Sequence, residues 1–170
     1  MRLLGAQIGG QLDCSGGSFT NEKDPALSAG RINVKGSVFL SSSDDADGNP
    51  VPFVAKGEVN LNGAQIDGKL DSSGGHFDNP DGDSLSANRA TIKSSVLPQN
   101  GFFANGRVHL QGAQIGGDLS CYDADFQNAT LDLTDASAAT LYDCGLEFSM
   151  VSRKRNGFFR LLKRHVISSR

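Results

Sequence analysis

The chain has 170 residues, enough for one domain with a sizeable core, and an unusual composition: 21 Gly, 10 Phe, 2 Met, no Trp and a formal charge of −3. No apolar run approaches the ~20 residues of a helical membrane span, and the opening "MRLLGAQIGG" has too short an apolar stretch for a secretory leader. The small net charge hides an asymmetry: residues 1–147 hold all 19 acidic residues and 9 basic ones, formally −10, whereas 148–170 carry +7 and no acid.

The first six-residue phrase, "GAQIGG" at 5–10, returns as "GAQIDG" at 63–68 and "GAQIGG" at 112–117, so Ile8, Ile66 and Ile115 are equivalent at periods of 58 and 49 residues. Periods of this size point to a solenoid. Within a period, small or apolar residues come in pairs two apart, which is strand spacing with both members on one side. From the N-terminus the pairs are Ala6/Ile8, Leu12/Cys14, Gly17/Phe19 and Leu27/Ala29, then Ile32/Val34, Val38/Leu40, Phe53/Ala55 and Val59/Leu61. The second period repeats the eight blocks, from Ala64/Ile66 and Leu70/Ser72 through Gly75/Phe77 to Val108/Leu110. Eight blocks divide into two four-sided turns, and the extra residues of 20–25, 41–52 and 78–83 belong at corners.

The reading is an all-β, right-handed quadrilateral β-helix solenoid over residues 1–148, with six to seven square turns between 3 and 146. Its core should contain Ile8, Ile66 and Ile115 in one column, with Phe19, Phe77 and Phe126 at another inward position. Beyond Gly157 the spacing of Phe158, Leu161, Leu162 and Val166 is helical, predicting a short basic amphipathic α-helix within 149–170. Arg153, Lys154, Arg155, Phe158, Arg160, Leu162, Lys163 and Arg164 would form its capping or partner-binding surface. Direct contact with nucleic acid or membrane would run through this tail alone.

The segments "FANGRVHLQGAQIGG" and "ATLDLTDASAATL" resemble the pentapeptide-repeat family, whose unit places a small residue two before a central Leu or Phe. The resemblance covers roughly residues 3–146, with sides of five or six residues. It implies a four-sided β-helix, in a bacterial setting. Because some members of that family imitate duplex DNA and bind DNA gyrase, it also implies a DNA-mimic reading for the acidic body.

Catalysis has little to stand on. His76, His109 and His165 are scattered, no nucleophile or carboxylate stands in a recognisable relation to them, and His109 between Val108 and Leu110 should point outward into water. "GAQIGG" lacks the spacing of a dinucleotide loop. "SDDADGNP" (43–50) places Ser43, Asp45, Asp47 and Gly48 as a calcium loop would, yet position twelve is Val54 where a bidentate Glu is needed. Asn128-Ala129-Thr130 spells a glycosylation triplet without an export signal. Cys14, Cys121 and Cys144 are odd in number and lack metal-ligand spacing, which favours a reduced, cytoplasmic setting. The expected function is therefore a non-catalytic scaffold presenting an acidic surface to a protein partner, without cofactor or metal. The alternatives are the topoisomerase-binding DNA mimic and an accessory domain of a larger membrane-associated protein or enzyme. Met1 falls at the repeat position of Val59, so the chain opens mid-turn, and a homodimer through a solenoid end would cover that edge.

Overall fold

The computed structural model describes residues 1–21, 23–126 and 129–142, together with the backbone of 152–155, 158–161 and 165–166. Most strands are two or three residues long and pair in parallel with their counterparts one coil away. They fall into four columns, one for each side of the coil. The first face stacks Gln7–Ile8, Asn33–Val34, Gln65–Ile66, Thr91–Ile92, Gln114–Ile115 and Ser137–Ala138. The second stacks Leu12–Asp13, Val38–Phe39, Leu70–Asp71, Val96–Leu97, Asp118–Ser120 and Thr140–Tyr142. The third holds Ser18–Thr20, Val54–Lys56 and the leading halves of His76–Ser86 and Phe103–His109. The trailing halves of those two long strands join Leu27–Ser28, Val59–Asn60 and Thr130–Asp132 on the fourth face. Register shifts between Asp78 and Asp83, and again between Asp83 and Leu85, mark the corner within the longer strand.

The paired residues two apart become the inward positions, and the expected isoleucine column is present. Ile8 registers with Val34, Val34 with Ile66, Ile66 with Ile92 and Ile92 with Ile115. Ile66 and Ile115 are buried, while Ile8, in the first coil, packs against the core half-buried. The turn count differs from expectation. Counting from Gln7 through its register partners to Ser137, the described residues make five complete coils and two sides of a sixth, not six to seven turns. The insertions lengthen coils instead of adding to them. The coil from Asn33 to Gln65 takes 32 residues because it carries a hairpin of Ser43–Asp44 with Pro50–Val51, whereas that from Thr91 to Gln114 takes 23.

A second inward column explains why the sequence repeats every two coils. Phe19, Phe53, Phe77, Phe102 and Phe126 form a ladder with successive ring centroids 5.5, 5.2, 5.2 and 5.5 Å apart. The rings come from alternating sites. Phe19 and Phe77 both register with Ala55, and Phe77 also with Ala104, so Phe53 and Phe102 arise two residues earlier in their own coils. Gly17 and Gly75 make the room: a Cβ on Gly75 would come within 2.8 Å of the Phe77 ring and 2.6 Å of the Leu40 carbonyl oxygen. Coils with a small residue two before Phe, Gly17 and Gly75 and then Ala124, therefore stack on coils of the Phe-x-Ala kind, keeping the interior filled.

Corners follow an equally regular rule. Between the fourth and first faces, Gly5, Arg31, Gly63, Arg89, Gly112 and Asp135 all take left-handed backbone angles, with φ between 54° and 66°. Glycine adopts that region freely, which is why odd-numbered coils open with "GAQI".

Among the described residues of the C-terminal end, the expected α-helix is not what the backbone forms. Ser152–Arg155, Phe158–Leu161 and His165–Val166 are strands. Phe158–Leu161 pairs antiparallel with the last strand of the first face, and His165–Val166 pairs antiparallel with Thr130–Asp132. The physical reason is the solenoid's edge. The last coil presents a row of backbone N–H and C=O groups that a strand can pair with and a helix cannot. Helical spacing of four apolar residues is a weak local preference beside that row.

Candidate functional site

The described surface has two unlike sides. The third face and its two corners collect the acids. At the corner between the second and third faces stand Asp44, Asp45, Asp47 and Asp123, and Asp125 lies on the third face itself. At the corner between the third and fourth faces stand Asp24, Glu58, Asp78, Asp81 and Asp83. Against these ten carboxylates, the same flank carries three described cations, Lys23, Lys56 and Arg107.

At each corner some of the acids are held by donors of the chain itself, Asp45 at one and Glu58, Asp78 and Asp83 at the other. In the hairpin loop the Asp45 carboxylate accepts hydrogen bonds from the backbone N–H groups of Asp47 and Asn49, each at 2.9 Å. Those bonds, the backbone of Asn49 first, hold its carboxyl below the usual range. The loop read as calcium-like thus spends this carboxylate on its own turn. Among the described residues no group of three His, Cys, Asp or Glu side chains has metal-holding geometry.

At the other corner, Gly106 has φ 116°, and a Cβ there would collide with the Asn79 carbonyl oxygen. The close approach lets one coil's wide corner rest on the next. Asp83 is the hub: it accepts from Arg107 Nε at 2.6 Å and lies 3.4 Å from His109 Nε2. His109 Nδ1 is 3.6 Å from Asp132, which is buried in the next coil. His109 does point outward, but its side chain is only 18% exposed between two carboxylates, so it is not the solvated histidine its flanking residues suggested. Glu58 accepts from Asn60 Nδ2 at 2.8 Å, and burial followed by the Asp83 charge raises its carboxyl above the usual range. The cluster ties coils together electrostatically. It contains no activated nucleophile.

The other singled-out residues disperse. Arg153, Lys154, Arg155, Phe158 and Arg160 lie in the two antiparallel strands at the C-terminal edge. Leu162, Lys163 and Arg164, like Cys144 and Asn128, lie outside the described residues. Phe19, Phe77 and Phe126 sit in the aromatic ladder. Cys14, Ser72 and Cys121 share one inward column of the second face, where a small side chain fits beneath the larger Leu40 and Pro98. Burial raises the Cys14 thiol above its ordinary value. What the sequence hid was the grouping of acids, since Asp44, Asp78 and Asp123 are far apart along the chain. Assigning each insertion to its corner would have exposed it.

Among the described residues no helix is long and apolar enough to cross a membrane. Comparison with known protein families, curated proteins and solved structures yields no match.

Proposed function

We propose that the chain is a non-catalytic β-solenoid scaffold whose acidic third-face flank binds a basic surface of a macromolecular partner. The observation that carries the reading is the segregation of charge: ten carboxylates and three cations around one face, with Asp78 and Asp83 held by coil-to-coil hydrogen bonds from Asn105 and Arg107. A field of one sign on one side speeds encounter with a complementary surface and fixes its orientation. The alternation of small and large residues two apart also supports a pentapeptide-repeat relationship, and the odd number of cysteines without metal-ligand spacing suits a cytoplasmic setting.

A narrower form of this reading is DNA mimicry. It draws on the two acidic corners bordering the same face, which present two rows of negative charge to a DNA-binding groove. Two measurements separate the forms. Fluorescence anisotropy with a labelled oligolysine peptide should show salt-dependent binding that falls at least tenfold when Asp44, Asp47, Asp78 and Asp81 are changed to Asn. Binding unchanged by those substitutions sinks the scaffold reading. A DNA gyrase supercoiling assay then tests the narrower form, which fails if the protein neither inhibits nor protects the enzyme.

A further inference from the structure

The first face differs from the other three. Its outward row is Gln7, Asn33, Gln65, Thr91, Gln114 and Ser137, without an ionisable group, and Asn33 Nδ2 donates to Gln65 Oε1 at 3.1 Å. Cations stand on its two long edges in the second and fourth coils, whereas the sixth coil has Asp135 and Ala139 at the corresponding positions. Arg31 and Lys35 bracket Asn33, and Arg89 and Lys93 bracket Thr91, in the segments "RINVK" and "RATIK". The brackets are two coils apart, about 9.6 Å at ~4.8 Å per strand.

The two edges are not equivalent. On the lysine edge, Asp67 in the intervening coil lies 3.6 Å from Lys35 and 2.9 Å from Lys93, leaving one net charge. On the arginine edge, no ion pair engages either guanidinium among the described residues. Both arginines have φ 54°, at sites where the neighbouring coils use glycine. Their stems lie over Gly63 and Gly112 of the next coil. A left-handed arginine is strained where glycine would not be, and such an outlier is grounds for a functional reading. A second observation lies on the lysine side of the same face: an open groove of about 410 Å³ is lined by Ile92 and Ile115 together with Thr91, Lys93, Gln114 and Ser137, beside but not including the arginines.

We propose that the first face binds a linear acidic glycan lying along the solenoid axis. Its hydroxyls meet the Asn, Gln, Thr and Ser row, and its carboxylates meet Arg31 and Arg89. One sugar unit of an extended chain is comparable in length to one coil, so a polymer of alternating acidic and neutral sugars places a carboxylate beside every second coil. A nucleic acid fits less well. Its backbone charge recurs about every 3.4 Å per strand, and the outward row offers no aromatic ring on which a base could stack.

The test is calorimetric titration of the full chain with a hyaluronan octasaccharide, which alternates glucuronate with N-acetylglucosamine. A neutral chitin oligosaccharide and a dT8 oligonucleotide serve as comparisons. The octasaccharide should bind, and the double variant Arg31→Gly with Arg89→Gly should weaken it at least tenfold. Because that variant restores the residue the backbone angle favours, thermal stability should hold or rise while binding falls. A second variant, Gln114→Ala, should weaken the octasaccharide and the neutral oligosaccharide alike. No octasaccharide binding, binding that survives loss of both arginines, or equal binding of dT8 would each overturn the proposal.

Discussion

The ring of Phe77 lies 5.2 Å from that of Phe102, although the register partner of Phe77 is Ala104 and Phe102 falls beside Gly75. The ladder is thus continuous in space while its residues alternate between two sites along the chain. A substitution that fills the empty site and one that empties the filled site should both be costly, for opposite reasons.

Gly75→Ala overfills the site. Its φ is not in the left-handed region, so the penalty is steric, against the Phe77 ring and the Leu40 carbonyl. The expected loss is about 1–3 kcal/mol. Phe77→Ala instead leaves a void between two rings, with a loss of about 3–5 kcal/mol. Urea unfolding of the two variants measures both. A neutral Gly75→Ala would mean that the two-coil alternation is not a packing requirement.

Ile66 occupies the middle of the isoleucine column and is 1% exposed. Ile66→Val should lose about 0.5–1.5 kcal/mol through one missing methylene. Ile66→Asp buries a carboxylate without a partner and should prevent a cooperative fold. Circular dichroism melting distinguishes them, and a cooperative melt of the Asp variant near the parent temperature would contradict the column.

Acid should destabilise the second face through Asp71. Burial pushes its carboxyl upward, but hydrogen bonds from Lys69 at 2.7 Å and from Ser73 outweigh burial and hold it below the usual range. A lowered folded pKa contributes stability above the unfolded value of about 3.9, lost as pH falls through the folded value. Glu58, raised by burial and Asp83, acts the other way: its contribution is present at low pH and lost as pH rises through its raised value. Asp71→Asn should therefore lower the melting temperature at pH 7 and flatten its fall between pH 5 and pH 3. Glu58→Gln should raise the melting temperature at pH 7 and change it little at pH 3. Parallel pH profiles for all three proteins would contradict both assignments.

Gly106→Ala should be more damaging than Gly75→Ala, because the backbone angle and the collision with the Asn79 carbonyl act together. Thermal melting ranks the two. Equal melting temperatures would mean that the corner between the third and fourth faces tolerates displacement.

Much of this architecture was legible because its code is local. Ala64/Ile66 or Leu70/Ser72 states by spacing alone that both members face inward, and the repeated hexamer fixed which residues share a column. Two features were misread. Counting pairs gave the four coils from Gln7 to Gln114 correctly and overshot beyond them, where the described strands make one more coil and two sides, ending at Tyr142. The tail was read from the spacing of Phe158 and Leu161, whereas the open edge at Ser137–Ala138 offered backbone partners no local pattern records. The charge pattern was hidden differently. Summing Asp and Glu gave an acidic body, but only the assignment of residues to corners separates the flank of Asp44 and Asp78 from the edge of Arg31 and Arg89.

The claim that the third-face flank is the binding surface is tested most directly by titrating the ¹⁵N-labelled full chain with an oligolysine peptide and following backbone amides. Shift changes should concentrate at residues 44–49, 78–83 and 123–125, and leave the amides of Gln7, Gln65 and Gln114 in place. Changes centred on the first face, or spread evenly over all four, would contradict it.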